Sequence, residues 1–74
     1  MTTGERLTAA RKKSGLTQEQ ISETLGITYQ AYWKYEKDMC YPSAETLIKI
    51  SKMYGISTDY ILGLTDEQSP KPKK

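Results

Sequence analysis

Between its expected helices this 74-residue chain carries a recurring triplet of a glycine, an aliphatic residue and then threonine or serine: Gly15-Leu16-Thr17, Gly26-Ile27-Thr28 and Gly55-Ile56-Ser57. Each triplet carries the signals that end one helix and begin the next. The glycine accepts the left-handed conformation that closes a helix, the hydroxyl residue caps its successor, and the aliphatic residue between them can staple onto the new helix. The expected staples pair Leu16 with Ile21, Ile27 with Tyr32 and Ile56 with Ile61. Thr17 with Gln20 makes a capping box, whereas Ala31 denies one to Thr28. No stretch alternates apolar and polar residues as a half-buried strand does. The expected fold is all-α, a compact bundle of five short helices: roughly Gly4 to Ser14, Thr17 to Leu25, Thr28 to the start of the 37–42 segment, Ser43 to Tyr54, and Ser57 to Leu62.

A chain of this length has room for one hydrophobic core, and the pattern places it in residues 1–65. From Asp66 to Lys74 no core residue occurs, so residues 66–74 read as a disordered basic tail or the stub of a linker. With 36% hydrophobic and 27% charged residues the sequence is neither a membrane span nor a disordered polyelectrolyte. Its N-terminus lacks the apolar stretch of a signal peptide, so the expected location is the cytoplasm. Histidine is absent and Cys40 is the one cysteine, which rules out an internal disulfide, zinc-finger ligation and histidine-based nucleophilic catalysis. No enzyme activity, metal or other cofactor is expected. Cys40, between Met39 and Tyr41, reads as a loop residue or a small semi-buried hydrophobe.

A net charge of +2 says little about partners, so what matters is where the basic groups cluster. On a wheel of about 100° per residue, the third helix turns Ala31, Tyr32 and Tyr35 toward the core. Tyr29, Gln30, Trp33, Lys34 and Lys37 share the opposite sector, with no acid among them and Glu36 at its edge. Exposed Tyr and Trp leave apolar area in water unless a partner covers it. An amide can pair bidentately with adenine, an aromatic edge can meet a thymine methyl or a phosphate, and lysine suits phosphate or guanine. The sector fits double-stranded DNA. The competing reading is a protein-interaction module of antitoxin-like or antirepressor-like kind, with Tyr29, Trp33 and Tyr41 docking on protein.

The runs Leu16-Thr17-Gln18-Glu19-Gln20-Ile21, Leu25-Gly26-Ile27-Thr28, Lys34-Tyr35-Glu36, Pro42-Ser43 with Glu45-Thr46-Leu47 and Ile50, and Gly55-Ile56-Ser57-Thr58-Asp59-Tyr60-Ile61-Leu62-Gly63 follow one another in a familiar order. Together they resemble the lambda-repressor-like, XRE-type helix-turn-helix family, over roughly residues 4 to 63. The resemblance implies a five-helix domain whose second and third helices form the helix-turn-helix, with the third in the major groove. It implies a sequence-specific transcriptional regulator, of phage-repressor type, binding a palindromic operator as a homodimer. By position, Thr28, Tyr29, Gln30, Trp33 and Lys34 would read bases. Gln18, at the start of the second helix, would hold a phosphate with Lys37 and Tyr41, and Arg11 and Glu36 would form a structural ion pair tying the first helix to the end of the third. The best candidate for a dimer surface is the fifth helix with Tyr60, Leu62 and Leu64.

Three positions depart from the family pattern. Tyr32 stands where a small branched aliphatic residue is usual, so either the groove between helices two and three widens or the phenol emerges at its rim. Trp33 replaces a small polar residue. Asp38 replaces a glycine and is expected to approach the left-handed conformation, which makes Asp38→Gly neutral or mildly stabilising.

Overall fold

The computed structural model describes residues 1–68. Among them the chain forms α1 (Thr3–Ser14), α2 (Gln18–Leu25), α3 (Tyr29–Glu36), α4 (Ala44–Tyr54) and α5 (Thr58–Leu62), with no strand. The all-α, five-helix expectation holds.

Each helix begins on a hydroxyl. Thr2, Thr17, Thr28, Ser43 and Ser57 all accept the backbone N–H of the third residue of their helix. Thr2 and Glu5 form a capping box that the sequence reading had passed over, so α1 starts one residue earlier than expected. Leu16, Ile27 and Ile56, the residues between stop and cap, all reach the core, where Leu7, Ile21, Leu25, Tyr32, Ile50, Tyr60 and Ile61 are buried. Fully burying an aliphatic or aromatic side chain stabilises by about 1.5–3 kcal/mol; here the capping residue and the staple beside it therefore act together. α1 packs against α3, α4 and α5, while α2 packs on α3 and α4.

Two core residues are polar-tipped, and each finds a partner. Tyr32 does not emerge at a rim: it is fully buried, with its hydroxyl 2.6 Å from that of Tyr54 on α4. A buried hydroxyl needs such a partner. Burial pushes the Tyr54 phenol up to about 12, against the pull of the Tyr32 hydrogen bond, and raises Tyr32 as well. Tyr60 is buried beneath the guanidinium of Arg6, which lies 4.3 Å from its ring centroid. Tyr60 is thus part of the interior rather than of an outer surface, whereas Leu62 and Leu64 remain exposed.

Arg6 also fixes the chain beyond α5. Its Nη1 donates to the carbonyls of Tyr60 and Thr65, and its Nη2 donates to Asp66. The Ser57 N–H donates to the Gln68 carbonyl at 2.8 Å. Asp66 and Gln68, both in the segment expected to form the tail, are therefore hydrogen-bonded to the body. The remaining tail, residues 69–74, lies outside the described residues. No described helix is long and apolar enough to cross a membrane.

Candidate nucleic-acid interface

The position of α3 is set by what holds its inner side and its C-terminal end. Glu36, the last residue of the helix, is buried. Its Oε2 lies 2.7 Å from Arg11 Nε, and its Oε1 accepts from Thr8 Oγ1 at 3.0 Å, Gln18 Nε2 at 2.9 Å and Arg11 Nη2 at 3.3 Å. Burial alone pushes this carboxyl up; the bond from Arg11 and the Tyr32, Gln18 and Thr8 donors around it outweigh burial and hold it below its usual range. Arg11 is raised in turn by its bond to Glu36. Its Nη1 donates to the Leu16 carbonyl at 3.0 Å, so one guanidinium joins α1, the turn before α2 and the end of α3.

The chain leaves α3 without a glycine. Asp38 takes φ 59°, and the Met39 and Asp38 N–H groups donate to the carbonyls of Lys34 and Tyr35, the pattern of a Schellman close. The Asp38 carboxylate then caps α1 from outside, accepting the Thr2 hydroxyl at 2.6 Å and the Gly4 N–H at 2.8 Å. These two bonds hold its pKa below the ordinary value, as an acid at a helix N-terminus favours. The expectation that glycine would be neutral here needs correcting, because glycine relaxes the backbone but removes both bonds. Asp38→Gly is expected to lower the urea midpoint at pH 7. The carboxylate contributes above its unfolded pKa and ceases to contribute as pH falls through the depressed folded value, so the deficit should shrink on acidification. An unchanged or higher midpoint at pH 7 would mean that the relief of strain outweighs the bonds.

With Glu36 buried and Asp38 engaged on α1, the outer face of α3 carries no acid. Tyr29, Gln30, Trp33, Lys34 and Lys37 are all exposed. Tyr29 keeps 43% and Trp33 37% of their surface in solvent, and the Lys37 ammonium sits 5.9 Å from the Trp33 ring centroid. Thr28 caps the helix, accepting the Ala31 N–H. Tyr41 is exposed in the loop after α3. Gln18 is placed differently from these: half-buried, with its amide turned onto Glu36. Beside it, the Gln20 N–H is taken by the Thr17 hydroxyl, and the Glu19 and Gln20 side chains are exposed.

Several residues that shape this interface escaped the sequence reading. Thr8 lies one turn before Arg11 on the same side of α1, a spacing that could have marked it as a second donor to the same acceptor. Tyr54 and Gly4 had no local signal of their roles.

The family described as a helix-turn-helix domain matches residues 4–67. The HTH-type transcriptional regulator ImmR of Bacillus subtilis is 45% identical over 71 residues, covering 96% of this chain and 55% of that protein. The cryptic phage CTXphi transcriptional repressor RstR of Vibrio cholerae is 40% identical over 65 residues, covering 85% of this chain and 58% of that protein. The chain therefore spans little more than half the length of these relatives. In three dimensions it is similar to the P22 c2 repressor protein solved in complex with a synthetic operator, at a TM-score of 0.80 and 32% identity over 84% of this chain and 94% of that one. A match over nearly all the described residues, on a scaffold with the caps, turns and five-helix order described above, shows that the chain belongs to the lambda-repressor-like, XRE-type helix-turn-helix family.

Proposed function

We propose that this chain is the DNA-binding domain of a transcriptional regulator, a repressor of phage type, which reads a palindromic operator through α3 and acts without catalysis. The observation that carries the reading is the outer face of α3: an amide, two aromatics and two lysines exposed together while Glu36 and Asp38 are engaged elsewhere. The names of its relatives and the operator bound to the P22 c2 repressor support it. Gln30 is assigned to a base edge. Thr28, Tyr29, Trp33 and Lys34 meet bases or adjoining phosphates, and Lys37, Tyr41 and the start of α2 at Gln18 meet the backbone. A single short helix reads few base pairs, so selectivity calls for two half-sites and a homodimer. Leu62 and Leu64 are the exposed apolar residues available near α5 for that contact. A regulator that works on chromosomal or phage DNA would act in the cytoplasm.

Selection from a random duplex pool tests this directly, and a recovered palindrome would report specificity and dimer symmetry together. On the selected site Gln30→Ala is expected to cost about 1–3 kcal/mol, and much less on random DNA. Lys34→Ala should weaken both alike and reduce the salt slope by about one unit per contact, or about two per dimer. Trp33→Ala should impair specific binding while leaving the urea midpoint near that of the parent. Recovery of no motif, with weak duplex binding that ignores salt, would instead favour docking of Tyr29, Trp33 and Tyr41 on a protein partner.

A further inference from the structure

Tyr29, Trp33 and Lys37 follow one another at four-residue steps, so they line up along the exposed side of α3. Lys37 stands one position past the last helical residue, yet its N–H still donates to the Trp33 carbonyl at 3.0 Å. Its side chain therefore leaves the backbone one turn after the indole, and its ammonium lies 5.9 Å from the centre of that ring. This is within the roughly 6 Å at which a cation is drawn to an aromatic face, and Trp attracts more strongly than Tyr or Phe.

Neither neighbouring carboxylate competes for this ammonium. Glu36 is turned inward onto Arg11, and Asp38 is taken up by Thr2 and Gly4. Among the described residues Lys37 forms no ion pair. A free lysine at this point would lose rotamer freedom on meeting a phosphate, and the negative end of the α3 dipole would draw it back over the helix terminus. The indole holds it instead on the exposed face of the helix. An ammonium has three donors and no acceptor, so with the ring on one side its outward donors are left for an oxygen.

We infer that Trp33 is a positioning residue for Lys37: the indole holds the ammonium ready for a phosphate, so part of what Trp33 contributes to DNA binding is delivered through the lysine on any sequence. This role rests on the DNA reading of α3 and extends it. There Trp33 meets bases or adjoining phosphates itself; here it also acts through a second side chain.

The test is a double-substitution cycle with the full 74-residue protein on a random-sequence duplex, where base reading contributes least. Lys37→Gln should weaken binding and reduce the salt slope by about one unit per contact. Trp33→Leu should weaken binding about two- to fivefold in the parent background, but much less once Lys37→Gln is present. Trp33→Tyr, which keeps an aromatic face, should recover most of the loss. In the free protein the Lys37 Cε protons should resonate upfield of their positions in Trp33→Leu, a ring-current shift that a merely structural Trp33 would not produce. Equal losses from Trp33→Leu in both backgrounds would mean that the indole meets DNA on its own, and an unshifted Lys37 would mean that the two side chains do not pair; either overturns the inference. If the parent binds duplexes without salt dependence, the DNA reading of α3 fails and takes this role with it. If binding depends on salt and the two substitutions are additive, the positioning of Lys37 fails alone.

Discussion

Replacing Glu36 by alanine is expected to destabilise the protein by about 2–4 kcal/mol in urea melts at pH 7. The carboxylate is the shared acceptor for Thr8, Gln18 and two nitrogens of Arg11, and its loss leaves all of these donors facing one another. Arg11 keeps only 15% of its side chain in solvent, so water cannot fully replace the missing charge. A small domain has a total stability of only about 5 kcal/mol or a little more to draw on. The effect should depend on pH with a definite sign. Because the Glu36 carboxyl is held below its ordinary value of 4.5, its contribution is complete above that value and is lost as pH falls through the folded one. The gap between parent and variant should therefore close in acid. Glu36→Gln, which keeps the shape and two of the possible acceptances but not the charge, should fall between them. A loss under about 0.5 kcal/mol for Glu36→Ala would show the pair to be solvated and unimportant to the fold.

The part of this molecule that could be read from the sequence is the part whose causes are local. A cap, its third-position N–H, a staple and a closing glycine all lie within a few residues, so Thr17, Thr28, Gly26 and Gly55 announced their roles. The outward sector of α3 was equally legible, because a wheel needs only the helix and its period. What the wheel gives is which side faces in, not what waits there. Tyr32 was placed inward, but its partner Tyr54 stands 22 residues away on α4. Asp38 was recognised as a residue able to take positive φ, while the Thr2 and Gly4 donors that occupy its carboxylate lie 36 and 34 residues earlier. Nothing in the residues around Arg6 marks it for burial. It is buried because the Tyr60 ring and two carbonyls from the far end of the chain receive it, a sequence separation no local pattern spans.

Gly4→Ala should cost about 2–3 kcal/mol, although helix propensity alone predicts a gain of up to about 1 kcal/mol from the same change. Gly4 lies inside α1 with no unusual backbone angle, so conformational freedom is not the reason for glycine there. The reason is space. A Cβ at this position would overlap the Glu36 backbone carbonyl and come within 2.9 Å of the Asp38 carboxylate. The carboxylate could rotate away, but the carbonyl belongs to the last turn of α3 and cannot. The first turn of α1 would have to withdraw, lengthening the Gly4 N–H bond to Asp38 and pulling Thr8 and Arg11 from Glu36. Gly15→Ala is the control: an added Cβ meets nothing within 4 Å, and only φ 74° is strained, for about 1–2 kcal/mol. Urea melts of the two variants separate crowding from backbone strain, since the Gly4 variant alone should also shift the Glu36 and Asp38 resonances. A Gly4→Ala protein as stable as its parent would mean that α1 does not seat against the end of α3, and the account of how α3 is held would fall with it.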